Sequence, residues 1–224
     1  MIIRLGSVYG KRLNLNGDQG NLLALRRYLN AAGYEVEVVG VDCTDVALSC
    51  HFLLLGHGSI AAMESLGERL SQFDWAEIFA RVPSLAIATS AVWLSGEPVE
   101  AFFDTTDRVS HFEVATLSLE ASGEQGRFGI PDDLRVLGYR NTPNAKAPAL
   151  ANPSGKLLTT MLHGPLLAKN PRLLDLIARA AVTAAGSPAP TQDSSGLHKW
   201  QQTLNDVASR IWALEAEGAS YPAL

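Results

Sequence analysis

Two hydroxyls in succession, Thr89 and Ser90, end the apolar run of the stretch LAIATSAVWLSG (85–96), and a second apolar run follows them. This is the pattern of a buried strand passing through a tight turn into a helix. In α/β enzymes that turn often carries the nucleophile. A hydroxyl there attacks a carbonyl only with a base in reach and donors where charge develops. Candidate parts stand elsewhere in the chain. GHGS (56–59) also follows an apolar run, and His163 ends the run KLLTTML (156–162) just before Gly164 and Pro165. Serine–histidine chemistry recurs on many folds but needs a third group to orient the histidine. The segment HGPLL (163–167) contains no acid for that role.

Several elements must position these residues. MIIRLGSVYG starts as a strand and ends in a glycine turn. DQGNLLALRRYLNAAG (18–33) reads as a helix, with Asp18 placed to cap it and Leu22, Leu23, Leu25, Leu29 and Ala32 on one face. EVEVVGV (35–41) alternates as a strand, and CHFLLLG (50–56) and SLAIA (84–88) suit strands buried on both faces, with a helical stretch across roughly 60–80 between them. Strand–helix–strand alternation predicts an α/β fold, a mostly parallel central sheet with helices on both faces. Ligands in such sheets bind beyond the carboxyl ends of the strands, which puts GHGS and Thr89-Ser90-Ala91 on one rim.

The second half reads as strands in SHFEVATLSLEA (from His111), 134–141 and 156–162. NPRLLDLIARAAVTAAG is then a helix with Pro171 near its start and Gly186 at its end. These readings divide the chain into a domain at 1–186, a linker at 187–196, an amphipathic helix at 197–217 and a tail at 218–224. Leu197, Trp200, Leu204, Val207, Ile211 and Leu214 form one face of that helix, which is expected to pack back on the domain.

Bulk properties exclude several function classes. The 224 residues are 47% hydrophobic and 18% charged, with a net charge of −5 and no basic block, so a nucleic-acid groove is not expected. No run approaches the roughly 18 apolar residues of a membrane span. The N-terminus lacks a signal-peptide pattern, so a soluble cytoplasmic location is expected. Cys43 and Cys50 are too few for a disulfide framework or a cysteine zinc site. The five histidines (51, 57, 111, 163, 198) are scattered without metal-ligand spacing, and the first strand–helix turn lacks G-x-G-x-x-G. Neither a metal nor another cofactor is expected.

RLNLNGDQGNLLALRRYLNAAGYEVEVV, LLLGHGS and TTMLHGPLLAKNP, in that order, make the chain resemble the class I glutamine amidotransferases of the cobyric acid synthase type. Within that group it is most similar to the glutaminase subunit of lipid II isoglutaminyl synthase. The likeness runs from about residue 12 to about residue 185. It implies a flavodoxin-like three-layer sandwich. It also implies a Mur-ligase-like synthetase partner that amidates peptidoglycan stem peptides, and a small amino-acid ligand such as glutamine. In that family an elbow cysteine attacks the glutamine amide, a histidine of the LHGP motif is the base, and a GGG turn presents N–H groups to the oxyanion.

Carried over by resemblance, His163 falls on the catalytic histidine. Gly56 and Gly58 match the oxyanion turn, with His57 in place of its middle glycine. Arg108, in DTTDRVSHFEV, stands where the family has an arginine that holds the glutamine carboxylate, a task suited to a bidentate guanidinium. The elbow departs from the pattern. One alignment puts Ala88 at the cysteine position, the other puts Thr89 there, and no cysteine lies beyond Cys50. Thr-Ser-Ala removes both the thiolate and the glycines that permit a strained turn. The family's glycine-rich stretch is also rewritten in VLGYRNTPNAKAPAL (136–150).

Three functions follow as expectations. The chain is a glutamine amidotransferase-like protein that has lost its cysteine chemistry and is non-catalytic or repurposed. Alternatively, it is an active amidotransferase or hydrolase using Thr89 or Ser90 with His163 as base. Alternatively, it is purely a partner-binding subunit of a Mur-ligase-like synthetase, with the last helix and the 142–147 loop as contacts.

Overall fold

A computed structural model describes residues 1–99, 109–116, 131, 134–142, 149–188 and 195–216. The chain begins with β1 (Ile2–Val8), α1 (Gly20–Ala31), β2 (Glu35–Val41), the short α2 (Thr44–Leu48) and β3 (Phe52–Leu55). Next come α3 (Ile60–Leu70), α4 (Trp75–Arg81), β4 (Ser84–Ile87) and α5 (Thr89–Leu94). The second half supplies β5 (Val109–Thr116), β6 (Arg135–Thr142), β7 (Leu150–Ser154), β8 (Leu157–Thr160) and β9 (Leu162–His163). It ends with α6 (Leu166–Lys169), α7 (Pro171–Ala184) and α8 (Ser195–Ala216).

The main sheet runs β2-β1-β3-β4-β8-β7. Its first five strands are parallel, and β7 pairs antiparallel with β8 at the edge. Read along the chain, those five follow the 2-1-3-4-5 order of flavodoxin-like sheets. Alternate side chains leave a strand on opposite faces, so each buried strand feeds two cores. Phe52 and Leu54 join Leu25 and Tyr28 of α1 and Ile177 of α7 on one face. Leu53 and Leu55 join Met63 and Leu66 of α3 and Ile78 of α4 on the other. The fold is therefore the expected three-layer α/β arrangement.

Several elements differ from the sequence reading. The helical stretch at 60–80 is two helices. The chain breaks after Leu70, and Asp74 then caps α4 by accepting from Glu77 N at 2.9 Å. The strand read at 156–162 is two strands in different sheets. β8 lies in the parallel sheet, whereas β9 pairs with β6 in a small antiparallel sheet, β5-β6-β9. Gly138 permits that second contact, because a Cβ there would stand 2.5 Å from Leu162 Cβ. Asp18 does not cap α1, whose N-cap position is Gln19 with no side-chain bond. At the other end α8 packs against the domain. Leu197 and Ala208 are buried, Trp200 meets Tyr28 edge-on, and Gln201 donates to the Tyr28 hydroxyl at 3.0 Å.

Candidate functional site

The carboxyl ends of β3 and β4 and the loop after β9 converge at one place. β4 enters α5 through Ala88, whose φ of 48° and ψ of −108° lie where side-chain-bearing residues are strained. The elbow is fastened from both sides: Ala88 N donates to Thr160 O of β8 at 2.8 Å, and Ala88 O accepts from Val92 N at 2.9 Å. The strained turn therefore survives without glycine, contrary to the sequence expectation. It survives because alanine, with a single methyl, is the least encumbered residue after glycine. The residue at the strained position is Ala88, and Thr89 and Ser90 follow as the first residues of α5.

Those two hydroxyls tie the elbow to the neighbouring turn. Ser90 Oγ donates to Gly56 O at 2.6 Å. Thr89 Oγ1 accepts from Gly58 N at 2.9 Å, lies 3.0 Å from His57 Nδ1 and reaches Gly58 O at 3.1 Å. Both residues are buried. The glycines of the turn answer a steric need as well, because a Cβ on Gly56 would stand 2.1 Å from Leu13 O and one on Gly58 2.7 Å from Leu13 Cδ2. The segment before α1 thus lies directly on the 56–58 turn, and Leu15 N donates to His57 O at 2.9 Å.

The NGDQGN and LHGPLLAKNP segments meet here. Asn16 Nδ2 bonds His163 Nδ1 at 2.7 Å. Asp18, fully buried, accepts from His57 N at 2.8 Å and from Gly164 N at 3.2 Å. Asn21 donates to Gly164 O at 3.0 Å and accepts from Leu167 N at 2.8 Å. Asp18 is thus the residue whose role the sequence reading missed. Its place beside Gly17 and Gly20 in an already distinctive motif was the available signal, and helix capping absorbed it.

Burial sets the electrostatics. It holds His57 down to about 3, with the nearby His163 acting in the same direction. It holds His163 down to about 4, opposed by the backbone of Asn141. Both imidazoles are therefore neutral near pH 7. Burial pushes Asp18 up to about 6, against the two backbone N–H groups it accepts. The two rings meet edge-to-face with centroids 4.7 Å apart, and His57 also contacts Thr89. His163 makes no hydrogen bond to Thr89 or Ser90 among the described residues; its Nδ1 faces Asn16. No group of three His, Cys, Asp or Glu side chains that could hold a metal occurs among the described residues. Arg108 and residues 143–147 of the rewritten loop lie outside those residues. No helix among the described residues is long and apolar enough to cross a membrane.

No family model and no curated protein matches the chain. Solved structures do. The chain is similar to a GMP synthase subunit protein from Thermoplasma acidophilum, at 14% identity and a TM-score of 0.45, over 83% of this chain and 95% of that one. It is similar to a glutamine amidotransferase from Thermotoga maritima, at 13% identity and a TM-score of 0.43, over 93% and 96%. It is also similar to the glutaminase domain of Trypanosoma brucei CTPS with bound acivicin, at 13% identity and a TM-score of 0.46, over 87% and 98%. At such identities and TM-scores the likeness assigns no role to any residue of this chain.

Proposed function

We propose that the chain is a glutamine amidotransferase-like protein that has lost its nucleophile. It serves as a non-catalytic or repurposed subunit beside a Mur-ligase-like synthetase, in a role related to peptidoglycan (lipid II) amidation. The observation that carries this reading is Ala88. The elbow keeps the strained backbone that presents a nucleophile in α/β enzymes, and the side chain presented is a methyl group. Acyl transfer through that position has no atom to attack with. A route through Thr89 or Ser90 is opposed by the engagement of both hydroxyls with the 56–58 turn, and by His163 facing Asn16 rather than either of them. The partner and the pathway rest on the sequence motifs.

The test is ammonia release from glutamine by the purified protein, alone and with a Mur-ligase-like synthetase, followed by co-elution of the two chains. We expect no turnover above buffer and a stable complex. Turnover that disappears in a His163→Ala variant would overturn the reading in favour of a hydroxyl nucleophile.

A further inference from the structure

Loss of the nucleophile is only half of what silences this site. An acyl-transfer elbow also needs an oxyanion hole. In α/β elbows it is built from the backbone N–H of the residue after the nucleophile and an N–H from the loop after a neighbouring strand. Here the corresponding donors are Thr89 N and, in the 56–58 turn, His57 N and Gly58 N. Each of the three is directed at a side chain of the protein itself. Thr89 N donates to His57 Nδ1 at 3.4 Å, Gly58 N to Thr89 Oγ1 at 2.9 Å and His57 N to Asp18 Oδ2 at 2.8 Å.

We infer that the side chains of His57 and Thr89 act as a built-in occupant of the oxyanion position, so that the site is sealed from within as well as lacking a nucleophile. The inference rests on the proposed reading of the elbow and adds a cause to it. Oxyanion donors work by being preorganised and unoccupied where charge develops. A donor already paired to a protein oxygen or nitrogen must break that bond before it can stabilise anything else. A glycine at position 57 would remove the acceptor of Thr89 N, and a glycine at position 89 would remove the acceptor of Gly58 N. The plug is rigid because Thr89 is buried at the start of a helix, and because its hydroxyl accepts from Gly58 N and donates to the same His57 Nδ1 that accepts from Thr89 N. Asp18 also braces the Gly164 loop, so it belongs to the scaffold around the plug.

The inference predicts that restoring a thiol alone leaves the site silent. The experiment compares Ala88→Cys with Ala88→Cys/Thr89→Ala and Ala88→Cys/His57→Ala/Thr89→Ala. The probe is acivicin, whose ring carbon forms a bond to the introduced sulfur as chloride leaves and the thiol proton passes to solvent. Mass spectrometry gives the rate of labelling. Iodoacetamide labelling normalises for thiol exposure, and thermal melts confirm that each variant is folded. We expect the normalised rate to rise about a hundredfold or more from the single to the triple variant, in line with the value of one oxyanion donor. A single variant that reacts as fast as the triple would overturn the inference, as would a triple variant no faster than the single.

A second readout uses the protein without a cysteine at the elbow. Thr89→Val keeps the side-chain volume and removes the acceptor of Gly58 N–H, so exchange of the Gly58 amide measured by NMR should accelerate. Unchanged exchange would overturn the inference independently. Neither readout involves glutamine turnover by the unmodified protein, so failure of the inference and failure of the proposed function are distinguishable.

Discussion

His57 packs edge-to-face on His163, with ring centroids 4.7 Å apart and planes at 71°. Two imidazoles that close and that buried cannot both be charged, and burial holds them down to about 3 and about 4. In the unfolded chain both titrate near 6.5. Between pH 6.5 and 4 the unfolded state therefore binds two protons that the folded state refuses, and stability falls on acidification. Asp18 works in the opposite direction. Its folded value of about 6 lies above that of a free carboxylate, so the folded state gains a proton first and is relieved as the pH drops through 6. Each histidine is worth about 2 kcal/mol between pH 7 and pH 5, and Asp18 returns about 1. We predict a net loss of about 3 kcal/mol in urea unfolding over that interval. Asp18→Asn should steepen the loss and His163→Gln should shrink it. A protein that gains stability from pH 7 to pH 5 would show that these groups are not buried as described.

Asp18 joins two loops that are far apart in sequence, accepting one N–H from the 56–58 turn and one from the loop after β9. Both donors are buried with it. Asp18→Ala leaves both unsatisfied, which should cost about 3 kcal/mol at pH 7, the sum of two modest penalties for buried orphan donors. Asp18→Asn keeps an oxygen for one of them and should cost less. Chemical denaturation of the three proteins ranks them. Wild-type-like stability in Asp18→Ala would mean that water replaces the carboxylate and that no brace exists.

How far the sequence leads is clearest at these residues. The parallel sheet was legible because its strands are short apolar runs between helices with clear faces, and Leu53 and Leu54 need no partner beyond the two cores they fill. The rim was legible too, since residues 56–59 and 89–91 had to emerge at the ends of adjacent strands. What was hidden depended on contacts across the chain. Helix capping is a sufficient local account of an aspartate before a helix, so nothing in the sequence sends Asp18 to Gly164. Spacing could not decide between Ala88 and Thr89, because the register of a turn is fixed by what holds it, here Thr160 O and Val92 N. The switch of the chain from one sheet to another between β8 and β9 left no mark, as Met161 and Leu162 are apolar in either sheet.

Asn170 gives a structural meaning to the end of the LHGPLLAKNP segment. Its Oδ1 accepts from Leu137 N at 2.8 Å, and its Nδ2 donates to Leu137 O at 2.8 Å and to Leu166 O at 2.8 Å. One amide thus closes on both backbone groups of a residue in β6 while holding the helix that follows His163. Asn170→Ala should lower stability by about 2–3 kcal/mol through the orphaned backbone groups and speed amide exchange at Leu137. Asn170→Asp, of the same size, should not rescue it, because a carboxylate cannot donate to the two carbonyls. Rescue by aspartate would disprove the clamp.

Ala88 supplies the last prediction. A residue at φ 48° and ψ −108° costs of order 1–3 kcal/mol when it carries a Cβ. Glycine has no such cost there, although it gives back about 0.4–1 kcal/mol through the greater freedom of its unfolded chain. Ala88→Gly should therefore stabilise the protein by about 1 kcal/mol net, seen as a higher urea midpoint with an unchanged slope. Most substitutions of a buried residue destabilise, so the sign alone is diagnostic. A gain would mean that the turn holds its strained backbone at a net cost, kept in place by the bonds to Thr160 and Val92. A loss would mean that the methyl packs well enough to outweigh the strain, and that the elbow has already been absorbed into the core.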